Sequence, residues 1–202
     1  MQKTPENIWD QRYASEDYVY GTLANDFLRS VIGELPTGAR VLCLAEGEGR
    51  NAVYLAEQGH RVVAMDASRI GLDKARRLAE QRRVEIECVM ADLAEFEIGE
   101  QAWDVIVSIF VHLPPALRRR LHRQVVAGLR PGGLFVLEAY RPEQLAYKTG
   151  GPPAAELMMT LKELQQELNG LQWLYGAELE REVLEGQLHH GLGAVVQLLA
   201  QR

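Results

Sequence analysis

Arg40-Val41-Leu42-Cys43-Leu44-Ala45-Glu46-Gly47-Glu48-Gly49-Arg50-Asn51-Ala52 opens with an apolar run too short for a buried helix, framed by Thr37-Gly38 before it and by Gly47-Glu48-Gly49 after it. Such a run reads as a strand covered on both faces. The following Ala52-Val53-Tyr54-Leu55-Ala56-Glu57 has helical composition and is closed by Gly59, so the unit is strand, glycine turn, helix. A turn of this kind lets backbone pass close to a ligand, because glycine has no side chain in the way and tolerates positive φ.

Working outward, His60 to Met65 reads as a second strand that delivers Asp66, 19 residues after Gly47. That spacing places a carboxylate on the tip of the neighbouring parallel strand, where it can accept from two ribose hydroxyls. Leu72 to Arg83 reads as a helix with Leu72, Ala75, Leu78 and Ala79 inward and Lys74, Arg76, Arg77 and Arg82 solvated. Val84 to Met90 and Trp103 to Phe110 are the third and fourth strands. The helix opened by Pro114-Pro115 repeats Leu117, Leu121, Val125 and Leu129, and the spacing leaves Arg118, Arg119, Arg120 and Arg123 on a solvated face. Leu134 to Ala139 is the fifth strand. Strict alternation of strand and helix forces parallel strands joined by right-handed crossovers. Tyr140 to Pro153 reads as a loop, and Leu161 to Leu168 as a short helix. Leu171 to Leu184 and His190 to Leu199, with only Glu185-Gly186-Gln187 expected between them, must pair as an antiparallel hairpin.

Ahead of the first strand, Ile8 to Tyr20 carries Trp9, Tyr13, Tyr18 and Tyr20 and reads either as a lid or as a segment docking the N-terminus on the core. Asn25 to Leu35 reads as one helix ended by Pro36.

The composition, 47% hydrophobic and 25% charged over 202 residues, is that of a globular domain. The net charge of −6 argues against a polyanion partner, so no nucleic acid is expected. No apolar run nears the roughly 18 residues that span a membrane, and Met1 to Asn7 has no signal-peptide core. A cytoplasmic protein without a membrane partner is expected. Cys43 and Cys88 are the two cysteines; both read as buried hydrophobes on interior strands, and no metal site is expected.

The glycine turn, Asp66, Asp92, the fourth strand, Leu129-Arg130-Pro131-Gly132-Gly133 and the terminal hairpin together resemble the class I S-adenosylmethionine-dependent methyltransferases. Trp9-Asp10 to Tyr20-Gly21 and Glu138-Ala139-Tyr140 resemble most the small bacterial methyltransferases grouped with tellurite-resistance and thiopurine methyltransferase proteins. The resemblance implies an α/β fold, a doubly wound, mostly parallel seven-stranded sheet with an antiparallel C-terminal hairpin. It implies one domain over 1–202, with an N-terminal lid or helix (1–35), a cofactor-binding core (36–140) and a substrate loop with the hairpin (141–202). The implied cofactor is S-adenosylmethionine. Gly47 and Gly49 would approach its methionine part, Glu46 its ammonium group, Asp66 its ribose and Asp92 its adenine. Tyr20, Asn51, Ala67, Ala91, Leu93 and Ile109, with backbone at Phe110, would line it. The usual third glycine of the turn is replaced here by Asn51.

Methyl transfer from a sulfonium requires alignment, exclusion of water and, for a hydroxyl or amine, removal of a proton. His112, Tyr140, Arg141 and His189 are the catalytic candidates, with Tyr20, Tyr147 and His190 as further acceptor contacts. The acceptor is expected to be a small molecule such as a thiol or chalcogen oxyanion, and the protein a monomer or dimer. Two alternatives stand beside this reading. Gly47-x-Gly49-x-x-Ala52 with Asp66 partly satisfies the fingerprint of an NAD-dependent oxidoreductase, and a non-catalytic S-adenosylmethionine-binding protein would keep the same fold. Asp66→Ala is expected to weaken nucleoside binding with little change in melting temperature. Capping of the following turns by Asp66 and Asp92 is the structural alternative.

Overall fold

The computed structural model describes residues 8–202; the N-terminal reading of 1–7 lies outside them. Seven strands form one sheet in the order β3-β2-β1-β4-β5-β7-β6. The strands are β1 (Arg40–Cys43), β2 (Arg61–Asp66), β3 (Glu87–Met90), β4 (Trp103–Ile109), β5 (Leu129–Tyr140), β6 (Gln172–Leu184) and β7 (His190–Gln201). β1 pairs in parallel with β2 and β4, and β2 with β3 and β4 with β5 likewise. β7 then runs antiparallel between β5 and β6. The sheet class and the terminal hairpin are as the sequence predicts.

Alternation along the strands divides the core into two layers. Val41, Cys43, Ala64, Val105, Val107 and Val136 face α2 (Asp26–Ser30), α3 (Arg50–Glu57) and α4 (Arg69–Arg82). Leu42, Met65, Ile106, Phe135 and Leu198 face α5 (Pro115–Gly128) and α7 (Leu161–Glu167). A short α1 (Ile8–Arg12) precedes them, and α6 (Gln144–Tyr147) interrupts the segment expected to be a loop. No helix among the described residues is long and apolar enough to cross a membrane.

Four local expectations are corrected. The helix read over Asn25 to Leu35 is broken at Val31 into α2 and a 3-10 turn, Ile32–Glu34. β3 is shorter than read and is an edge strand, which leaves Cys88 half-buried instead of interior. Lys74 is not solvated: it is 1% exposed and ion-paired with Glu48 at 2.5 Å. Arg118 is likewise buried, donating to Glu167 at 2.8 Å and to the Met158 carbonyl at 2.7 Å, while Arg119 and Arg123 line a groove of about 700 Å³ between α5 and α7.

Candidate functional site

After β1 the chain enters the left-handed region three times in five residues, at Ala45 (φ 46), Gly47 (φ 63) and Gly49 (φ 93). Two carboxylates hold this bend. Asp66, at the tip of β2 and 5% exposed, accepts from Gly47 N–H at 2.8 Å through one oxygen and from Ser68 N–H at 2.7 Å through the other. Glu46 accepts from the amides of Asn51 and Ala52, both at 2.8 Å, and so satisfies two otherwise orphaned donors of the first turn of α3. The two glycines do different work. A Cβ on Gly49 would meet Ala75 Cβ at 2.6 Å, so Gly49 lets α3 and α4 touch. A Cβ on Gly47 would meet the Tyr13 hydroxyl at 2.5 Å, so at Gly47 the close approach is to the N-terminal segment.

Burial pushes the Glu46 carboxyl up to about 7, against the lowering effect of its Ala52 amide bond and of Arg50. A raised carboxyl pKa means that the folded state holds the proton more tightly than the unfolded chain, so ionisation weakens the fold. Stability is expected to fall by about 3 kcal/mol as pH rises from near 4.5 to near 7, then to level off. Thermal melts of the wild type against Glu46→Gln check this: the difference between them should grow across that window.

The segment read as a lid or as an anchor is docked on the glycine turn. Asp10 accepts from Ser68 Oγ at 2.6 Å and from Ile70 N–H at 3.2 Å. Lys74 Nζ donates to the Asp17 carbonyl at 2.6 Å as well as to Glu48, whose other oxygen accepts from Tyr20 N–H at 3.2 Å. Glu48, the residue between the two glycines, thus ties the turn to the segment above it. Lys74→Met should leave the Glu48 charge buried and unpaired, at a cost of about 3 kcal/mol. Trypsin cleavage at Arg12 should accelerate in that variant; an unchanged rate would mean that the segment is held elsewhere.

At the other sequence-predicted cofactor positions, Asp92 is exposed and accepts from Ala94 N–H at 2.8 Å. Ala91 N–H donates to the Asp66 carbonyl at 3.0 Å, and Leu93 and Ile109 are buried. Ala67 is half-buried. Asn51, in place of the usual third glycine, accepts from Asn25 N–H at 2.9 Å and so fastens α2 to α3.

A ring cluster lies at the carboxyl ends of β4 and β5. Phe110, at φ 54, sits 4.6 Å from Tyr140 and 4.7 Å from His189, and Tyr20 sits 4.6 Å from His189. His112 accepts from Tyr140 N–H at 3.0 Å through Nε2, and burial holds it down to about 4. This neutral imidazole braces the end of β5. Burial, reinforced by Arg50, pushes His189 down to about 3, and burial pushes the Tyr140 phenol up. The remaining candidates lie apart from the cluster. Arg141 pairs with Glu178 at 3.4 Å and Glu143 at 3.8 Å, the Tyr147 hydroxyl donates to Glu180 at 2.5 Å, and His190 is exposed.

Sequence reasoning missed a buried polar network behind this cluster. Glu138 on β5 is 0% exposed and is contacted by Arg181 and Gln197. Asn25 Nδ2 donates to both Glu138 and Glu185 at 2.9 Å. Arg181 reaches Glu185 at 2.7 Å, and Arg50 at the start of α3 reaches it at 2.5 Å. The usable signal was Glu138 itself, one charge in an otherwise apolar central strand. Among the described residues no three His, Cys, Asp or Glu side chains converge as a metal site.

Residues 41–133 match the family described as a methyltransferase domain. A tRNA (uracil(54)-C(5))-methyltransferase of Pyrococcus horikoshii is 26% identical over 132 residues, 59% of this chain and 32% of that protein. A tRNA 5-carboxymethoxyuridine methyltransferase of Escherichia coli is 33% identical over 124 residues, 58% and 47% respectively. The match thus spans less than half of either relative. Among solved structures, TehB from Haemophilus influenzae superposes with a TM-score of 0.71 at 17% identity, covering 96% of this chain and 65% of that one.

The sheet order and the glycine turn give the chain the fold of its solved structural neighbours, and residues 41–133 carry the match to a methyltransferase domain. A solved structure from Methanosarcina mazei described as an S-adenosylmethionine-dependent methyltransferase shares this fold, with a TM-score of 0.65 at 19% identity, covering 89% of this chain and 98% of that one. The expectation that nucleic acid is excluded is corrected: both relatives are named for action on tRNA. An acidic net charge therefore does not rule out an RNA partner for a chain with this domain.

Proposed function

We propose that the chain transfers the methyl group of S-adenosylmethionine to a small-molecule acceptor, at the carboxyl ends of β1, β2, β4 and β5. The observation that carries this is the buried Asp66 carboxylate bonded to Gly47 N–H across the tips of β1 and β2. The donor set fits the cofactor. A carboxylate has about four lone-pair sites, and the Gly47, Ser68 and Ala67 amides occupy three of those on Asp66, leaving one for a ribose hydroxyl. Glu46 accepts from the Asn51 and Ala52 amides on one oxygen and from the Cys43 thiol, and would meet the ammonium group with its remaining lone-pair site. Gly47 would lie against the methionine part and Asp92 near the adenine amino group, with Ala67, Ala91, Leu93 and the Ile109 backbone lining the cleft. When bound, the cofactor supplies a methyl on a sulfonium that leaves with its bonding electrons on sulfur. The chain's own contribution is alignment and exclusion of water: Tyr13 and Tyr20 cover the turn, and His112 fixes the backbone at Tyr140.

The chain works as one domain over 1–202 in this reading, with the docked N-terminal segment as its lid. The two free thiols, Cys43 and Cys88, suit the reducing cytoplasm. The second reading, a nucleoside within RNA as acceptor, is favoured by the likeness to the two tRNA methyltransferases. Incubation with methyl-labelled S-adenosylmethionine and either a small-molecule extract or total RNA tests both. Label in the small-molecule fraction supports the first, and label confined to RNA supports the second.

A further inference from the structure

We propose that Tyr140 and His189 form the acceptor subsite and that the acceptor group they hold is uncharged, not an oxyanion; this rests on the methyltransferase reading above. Tyr140 is 0% and His189 8% exposed, and neither the Tyr140 hydroxyl nor His189 Nδ1 has a hydrogen-bond partner. Buried polar atoms are nearly always satisfied, and each that is not costs stability. Phenylalanine would fill either position without that cost. Two such groups in one ring cluster, with centroids 5.4 Å apart, are accounted for by a ligand that supplies the missing partners.

The location agrees. Ligands of parallel sheets bind beyond the carboxyl ends of the strands, and Tyr140 closes β5 while Phe110 follows β4. Tyr20 joins this cluster to the cofactor turn, since its amide donates to Glu48 and its ring lies against His189. The cover is backbone. A Cβ on Gly150 (φ 138) would lie 2.7 Å from the Leu188 carbonyl and 3.2 Å from the Tyr140 hydroxyl. Gln144 holds this stretch through Thr149 Oγ1 at 2.9 Å and the Gly150 carbonyl at 3.2 Å.

The charge balance sets the class of acceptor. Arg50 and Arg181 are matched by Glu185 and Glu138, and Arg141 by Glu178. Arg12 donates to the Tyr20 hydroxyl at 3.0 Å on the exposed side. Burial keeps His189 neutral. Arg141 keeps one unpartnered donor, Nε, but its charge is matched by Glu178 and Glu143, so an oxyanion entering here would be desolvated among cations that are already ion-paired. The Tyr140 hydroxyl can donate, and His189 Nδ1 can accept or donate by tautomer, which suits an uncharged hydroxyl, thiol or ring N–H. Such a group is carried alike by a free molecule and by a nucleoside within RNA.

The test is calorimetric titration of protein saturated with S-adenosylhomocysteine, using phenol, free uridine, a short RNA hairpin containing uridine, and tellurite. Phenol or a uridine probe should bind and tellurite should not; free uridine against the hairpin separates the two sources. Tyr140→Phe and His189→Phe should each weaken the bound probe ~10-fold or more, with S-adenosylhomocysteine affinity within ~2-fold of wild type and no fall in melting temperature. Tellurite binding, silence of every uncharged probe, or variants that lose melting temperature while keeping probe affinity would overturn the proposal. A protein that does not bind S-adenosylhomocysteine would instead remove the methyltransferase reading itself.

Discussion

Glu138→Ala is expected to cost about 3–5 kcal/mol, because it leaves two guanidinium groups of a buried network, Arg50 and Arg181, sharing the one buried carboxylate of Glu185. For a chain of this length that corresponds to a fall in melting temperature of roughly 10–15 °C. Glu138 touches Arg181, Gln197 and Asn25 at once, so the loss reaches β6, β7 and α2 together. Circular-dichroism melts measure it. Glu138→Leu combined with Arg181→Leu should recover most of the loss, since removing both charges also removes the desolvation cost. A single variant melting within a degree or two of the wild type would mean that the network is incidental.

Asp66→Ala is expected to lower affinity for S-adenosylhomocysteine ~100-fold or more, through a lost ribose contact and a loosened turn together. The sequence-based expectation that melting temperature would barely change does not survive the geometry. Asp66 is buried and accepts from three backbone amides, so its removal should also cost about 2–4 kcal/mol. Asp66→Asn separates the contributions: it keeps one acceptor oxygen for the turn and loses the charge that favours the ribose. Its melting temperature should lie between those of wild type and Asp66→Ala, with affinity measured by calorimetry still well below wild type. Undiminished affinity in Asp66→Ala would leave the carboxylate with the turn-capping role alone.

What the sequence disclosed and what it concealed follow from how far apart the interacting residues lie. The turn from β1 to α3 was legible because strand, glycines and helix are contiguous, and the parallel sheet followed from alternation. The hairpin was legible because two long strand patterns with almost nothing between them have one way to pair. Lys74 and Arg118 were misread because helical periodicity sends charges outward unless a partner is known. Their partners are 26 and 49 residues away in the chain. Asn25 and Glu138 are 113 apart, and no local pattern reports such a pair. Gly49 was recognised as required, though the visible reason is contact with Ala75 on α4. His112 stood out as a histidine after a strand, yet its nitrogen is spent on the Tyr140 amide, which only coordinates reveal. Tyr20, Tyr140 and His189 were picked from three separate stretches, and the fold brings them together.

The central claim is that the Gly47 turn and Asp66 grip an adenosyl sulfonium, and calorimetric titration of the purified protein with S-adenosylhomocysteine, set against NADH, tests it most directly. The account predicts saturable one-to-one binding of S-adenosylhomocysteine and no heat with NADH. Saturable binding of NADH with none of S-adenosylhomocysteine would contradict it.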